Sequence, residues 1–298
     1  MSDKVCIDRL GRGEEAWSFI PAGPFKMGSE DGGSDERPVR QVTLDAYCPA
    51  KYEISNDDWA RYKAATSSSS QRKFELVHID CSSQSNEKVV DTRATREELA
   101  VSPANVLADH KNVCGVRSRE VLPPIQDEDE RPSPEGFDAP NQPRVNISRQ
   151  EARGYCQWLG GDLMTEAQWE KAAKGGKDLE YATADGKISK GQANYSWFFG
   201  KTVVVGSYAA NPFGLHDMAG NVWEWVKDNY DASAYTYLSA ENPVNLKETG
   251  WGVLRGGGWY YLLSDSDLRA ANRRYYAPAG RDFDIGARCA LSPRDLNQ

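Results

Sequence analysis

The chain has 298 residues, 39% apolar and 27% charged, which is room for one large or two small soluble domains and too apolar for global disorder. A formal charge of −8 excludes a nucleic-acid surface, which needs clustered Lys and Arg, and matches anionic lipid poorly. No stretch approaches the roughly 20 apolar residues of a membrane-spanning helix.

Met1 to Leu10 lack the apolar stretch of a secretory leader. The expectation is an exported or cell-surface protein whose leader is absent from this sequence, with a cytoplasmic protein as the alternative. Six cysteines (Cys6, Cys48, Cys81, Cys114, Cys156, Cys289) are scattered with no Cys-x-x-Cys pair, so a thiolate metal cluster is not expected. Disulfides and free buried thiols both stay open.

Phe19 to Ser29 reads as a short strand, a Pro-Gly turn and a second strand, and Val42, Leu44 and Ala46 alternate as in a half-buried strand. Three helix starts follow, each with a capping-box spacing: Ser55 with Asp58, Ser148 with Glu151, and Thr165 with Gln168. Between the first two, residues 66–140 carry a serine run, an acidic run and many prolines, which predicts a peripheral solvated insertion in a single domain spanning 1–298. Trp223 and Trp225 stand two apart and share a face of any extended segment, so they are expected to anchor the core. Gly256 to Gly258 allow a bulge or a close backbone approach beside Trp259. Many aromatic and glycine residues with few long amphipathic helices predict an irregular, loop-rich α+β fold.

Four blocks stand in order. They are Phe19 to Ser29 with Arg37 to Val42; Pro143 to Ser148 leading to Thr165 to Glu170; Asn211 to Leu215 continuing through Asp217 to Trp225; and Leu254 to Trp259 closing at Ile285 to Cys289. Together they resemble the formylglycine-generating enzymes, or sulfatase-modifying factors, over roughly residues 17–65 and 141–292. The resemblance implies a C-type-lectin-like fold. Its oxidases hold copper with a cysteine pair just after the Gly-Gly-Gly-Trp block, whereas Trp259 is followed here by Tyr260, Tyr261, Leu262 and Leu263, with no cysteine before Cys289. Formylglycine chemistry is therefore not expected. A three-histidine iron site is not expected either, because His78, His110 and His216 show no ligand spacing. The enzymatic alternative is an oxidase or siderophore-maturing relative with a non-cysteine active site.

No cofactor is required by this reading. The resemblance implies a structural calcium site at Asp217, Gly220, Val222 and Glu224, since oxygen ligands suit that hard cation. An equal alternative pairs Glu224 with an arginine.

The segment Tyr260 to Asp284 lacks Trp, Lys, Glu, Gln and Met. It resembles the variable region, here 254–290, of proteins diversified by retroelements, where adenine-directed mutagenesis of Asn codons cannot reach those five residues. Tyr, Ser and Asp are also what recognition loops use. Tyr260, Tyr261, Ser264, Asp265, Asp267, Arg274, Tyr275, Tyr276, Asp282, Phe283 and Asp284 are therefore expected to form one exposed binding face on a rigid scaffold. The expected partner is a protein or other macromolecule bound by a monomer, with no nucleic acid and no membrane span.

Overall fold

The computed structural model describes residues 4–67, 132–260 and 265–295. Most of the expected insertion, together with Tyr261 and Ser264, lies outside the described residues. The described residues all belong to one compact unit, Met1–Ser68 with Pro124–Gln298.

The strands are short: β1 (Lys4–Val5), β2 (Gly23–Met27), β3 (Arg40–Leu44), β4 (Cys48–Pro49), β5 (Asp162–Leu163), β6 (Trp223–Asn229), β7 (Gly252–Arg255), β8 (Arg274–Tyr276), β9 (Ile285–Ala287), β10 (Cys289–Leu291) and β11 (Arg294–Asp295). Among the described residues they form four small sheets, ordered β8-β7-β6-β9, β4-β10-β5, β2-β3 and β1-β11. In the largest, β6 runs antiparallel to β7 and parallel to β9, with Trp223 opposite Ile285 and Trp225 opposite Ala287. The expected hairpin at Phe19 to Ser29 forms only in its second half. Its first half contributes a single bridge, Ile20 to Tyr47.

Helices α1 (Asn56–Ser67), α2 (Arg149–Trp158) and α3 (Glu166–Ala173) begin where the capping boxes place them, and a single turn, α4 (Ala234–Tyr237), has no such signal. At α2 the Ser148 amide donates to Glu151 Oε2 at 2.6 Å while Glu151 N donates back to Ser148 Oγ at 3.3 Å. This satisfies two amides that a helix start otherwise leaves open. The amphipathic face of α2 buries Ala152, Tyr155 and Cys156, and α3 is buried along nearly its whole length. Trp169, Trp223 and Trp225 share one hydrophobic cluster, as their aromatic area demands. Two disulfides staple it, Cys6–Cys48 and Cys156–Cys289. They settle four of the six cysteines as bonded; Cys81 and Cys114 lie outside the described residues.

Candidate binding face

The site begins at the glycine run after β7. Gly256 and Gly257 have φ of +95° and +80°, a left-handed backbone that disfavours side chains. A Cβ on Gly257 would meet Leu268 at 2.5 Å, and one on Gly258 would meet Trp223 at 3.0 Å. Of the two readings of this run, the close approach is the one seen, and the left-handed backbone delivers Trp259 and Tyr260 to the end of the sheet.

The opposite wall is Asp282 to Asp284, and its backbone is tied to the scaffold at every residue. The carbonyls of Asp282, Phe283 and Asp284 accept from Asn146 N (2.9 Å), Trp259 Nε1 (3.2 Å) and Trp223 N (2.8 Å). None of these bonds depends on which side chain stands at the three positions. Their side chains are half-buried: Asp282 Oδ1 accepts from Phe283 N at 2.8 Å, and the Asp284 carboxylate lies against Gly258. Phe283 packs edge-to-face on Tyr260 with centroids 4.7 Å apart, and both lie against Trp259. Phe137 also meets Trp259, at 5.3 Å, so the end of the segment assigned to the insertion contributes to this wall.

Beside the aromatic group is a polar one. The Tyr276 hydroxyl donates to Asp282 Oδ2 at 3.4 Å, and the Arg274 guanidinium lies over the Trp223 ring at 5.3 Å. Burial, reinforced by the neighbouring Asp282 carboxylate and opposed by Arg274, pushes the Asp284 carboxyl up to about 7.

Not every expected residue joins. Alternation along β8 turns Tyr275 to the other side of the sheet from Arg274 and Tyr276. There it packs tilted against Tyr230 and edge-on to Trp251, with centroids 4.5 and 5.2 Å apart. Asp265 and Asp267 lie in a short 3-10 turn, where Asp265 acts electrostatically on Lys190 and Tyr195.

Between these pieces the chain is held by buried charge. Arg255 donates to Glu170 (2.7 Å) and to the carbonyls of Ala270 (2.7 Å) and Ala271 (3.1 Å). Arg273 grips Glu166 through two nitrogens at 2.7 and 2.9 Å.

Glu224 has taken the arginine alternative. Arg288 donates to its Oε1 at 2.8 Å and Trp169 Nε1 to its Oε2 at 2.7 Å. Asp217 is different: one oxygen accepts from Gly206 N, while its buried Oδ1 has no hydrogen-bond partner. Among the described residues, no group of three or more His, Cys, Asp or Glu side chains is arranged to hold a metal ion. A cation at Asp217 would therefore draw most of its ligands from backbone oxygens.

One part of the face had no reading in the sequence. Trp197, Phe198 and Phe199 stand in a loop and are 51%, 51% and 52% exposed. Trp197 reaches back to Tyr260 and Trp259 at 4.4 and 5.3 Å. Three aromatics in succession outside any strand pattern were the available signal.

These features are those of a loop-rich, C-type-lectin-like scaffold whose C-terminal segment presents one end of a small sheet. The chain belongs to the sulfatase-modifying factor enzyme 1-like family, whose model matches residues 8–293. It is 32% identical over 278 residues to the serine/threonine-protein kinase pkn1 of Chlamydia caviae, matching 91% of this chain and spanning 37% of that protein's length. It is 28% identical to the formylglycine-generating enzyme of Thermomonospora curvata, with 92% of each chain covered. Among solved structures, PvdO from Pseudomonas aeruginosa superposes with a TM-score of 0.63 at 22% identity, covering 97% of this chain and 98% of that one. The Treponema denticola variable protein 1 superposes with 0.57 at 19% identity, covering 92% and 94%.

Proposed function

We propose that this domain binds a macromolecular ligand without chemistry, through side chains that vary on a fixed backbone. The observation that carries this reading is the anchoring of three successive carbonyls, at Asp282, Phe283 and Asp284, to framework donors. Replacing their side chains leaves those bonds in place, so sequence can change without unfolding the scaffold. The fold shared with the Treponema denticola variable protein 1 supports the scaffold half of the reading. The binding residues are Tyr260, Arg274, Tyr276, Asp282, Phe283 and Asp284, with Tyr261 and Ser264 on the same segment.

Redox chemistry of the formylglycine type has no thiol pair to use: no cysteine stands between Trp259 and Cys289, and Cys289 is bonded to Cys156. The two disulfides support an oxidising compartment, at the cell surface or beyond it. We further propose a structural calcium ion at Asp217, with Gly220 and Val222 supplying carbonyls and without Glu224, whose oxygens are taken by Arg288 and Trp169. The support is the open, buried Oδ1 of Asp217.

A second reading, acid–base catalysis, is favoured by one observation. The Asp284 carboxyl, raised to about 7 beside the Tyr276–Asp282 pair, would suit proton transfer near neutrality.

The gene neighbourhood tests the binding reading. A reverse transcriptase and a near-identical template repeat, with Asn codons at the face positions, are expected beside the gene. A neighbourhood without either, together with turnover of a substrate that Asp284→Asn abolishes, would overturn it.

A further inference from the structure

The loop Ser196 to Gly200 spends backbone energy to show its aromatics. Ser196 and Trp197 have φ of +50° and +59°, a left-handed conformation that side-chain-bearing residues adopt at a cost. The loop is nonetheless pinned: Trp197 N donates to Trp259 O at 2.9 Å, Phe198 N to Tyr195 O at 3.2 Å and Gly200 N to Trp197 O at 3.1 Å. Phe198 and Phe199 meet edge-to-face at 4.6 Å, and the Lys190 ammonium lies 5.7 Å from the Phe198 ring. A core would bury these rings and a merely solvated loop would not carry three of them. Their exposure, rigidity and direct bond to the Trp259 backbone make them an extension of the binding face.

Their surroundings select a ligand. From Asp185 to Lys201 the chain carries three lysines (Lys187, Lys190, Lys201) and one acid, Asp185, in a protein of net charge −8. Asp185 accepts from Gln192 Nε2 at 2.6 Å, and Asp265 faces Lys190 from the neighbouring turn. A cation would meet like charge here. Lys190 donates to the Tyr195 carbonyl at 2.5 Å, and the exposed Lys187 and Lys201 leave the segment positive, so an apolar side chain with a carboxylate beside it suits the charge as well as the rings.

We infer that Trp197, Phe198 and Phe199 form a constant apolar shelf beside the varying residues, and that it takes an aromatic or aliphatic side chain flanked by acidic residues on a protein ligand. The inference rests on the binding reading and adds a fixed element to it: ligand choice lies with the C-terminal side chains, while the apolar anchor is common to all ligands. Rigid aromatic anchors of this kind dominate interface energetics because little freedom is lost on docking.

The probe is a phage-displayed library of random linear peptides, panned against the protein. Enriched peptides are expected to pair an aromatic or Leu with nearby Asp or Glu. A synthetic copy should bind F198A/F199A roughly tenfold more weakly than the wild type, with the melting temperature kept. W197A, which also loses contact with Tyr260, provides a second variant, and Y260A/F283A the control for the face. Affinity retained in both loop variants but lost in Y260A/F283A overturns the shelf and leaves the binding reading standing. Affinity retained in all three overturns both. Binding to phosphatidylcholine vesicles containing phosphatidylserine, abolished in F198A/F199A, reassigns the loop to lipid and overturns the protein anchor.

Discussion

The indole nitrogen of Trp259 donates to the main-chain carbonyl of Phe283 at 3.2 Å, while the two rings pack with centroids 5.6 Å apart. One residue of the pair belongs to the scaffold; the other is fixed through its carbonyl, and its ring lies against Trp259 and Tyr260.

This asymmetry can be measured. Trp259→Phe strands a carbonyl in a mostly dry site and should cost about 1–3 kcal/mol in urea unfolding. Phe283→Ala keeps the carbonyl bonded and should cost less than about 1 kcal/mol. The reverse ranking would show that the Phe283 ring is core.

Stability should fall as pH rises through the weakly acidic range. Asp284 titrates near an ordinary 3.8 when unfolded and at about 7 when folded, so the folded chain holds the proton more tightly. The stabilisation is complete below about 4 and lost as pH passes about 7. Asp228, raised by burial and by the neighbouring Glu166 charge, acts in the same direction. Asp284→Asn should raise the melting temperature at alkaline pH, less so in mild acid, and leave it unchanged only below about pH 4. Equal effects at both ends would place the cause elsewhere.

Removing the buried arginine at the sheet should be severe. Arg255→Met leaves Glu166 and Glu170 in a dry interior with one cation fewer, a loss of about 3–5 kcal/mol by chemical denaturation. A loss below about 1 kcal/mol would mean that Arg273 on Glu166 and Lys174, 3.1 Å from Glu170 Oε1, suffice.

Calcium should add to thermal stability relative to a chelator, by a few degrees in a melting scan. Asp217→Asn should erase the difference. A wild-type melting curve indifferent to calcium would remove the ion from Asp217.

Dithiothreitol should lower the melting temperature. Losing a native disulfide typically costs about 2–5 kcal/mol, and Cys156–Cys289 spans 133 residues, enough for a large restriction of the unfolded chain. Cys156→Ala/Cys289→Ala tests that bond alone.

The local signals for helix starts were reliable, whereas the strand expected before the Pro-Gly turn at Phe19 to Ser29 is reduced to one bridge. Ser148 with Glu151 and Thr165 with Gln168 marked helix starts to the residue, because a capping box is complete within four positions. The Gly-Asn-Val-Trp-Glu-Trp block indicated the core for the same reason. What the sequence hid is pairing across long separations. Arg255 meets Glu170 across 85 positions and Arg269 meets Glu36 across 233, and no spacing rule chooses among many carboxylates. The cysteine pairing was hidden likewise. Tyr275 is a different case. Its place between Arg274 and Tyr276 predicts the opposite face of a strand, but only once the segment is known to be one. Tyr261 and Ser264 lie outside the described residues.

The charges that clamp the segment carrying the face have a consequence for its behaviour in varied media. Arg255 and Arg273 meet their carboxylates where water and mobile ions do not reach. Screening acts on exposed pairs and hardly on such buried ones. In surroundings of changing salinity the clamped segment would thus keep its shape, while exposed pairs such as Arg61–Asp57 weaken or strengthen. On the proposed binding reading, brine would change how firmly a partner is held and leave the surface offered to it the same.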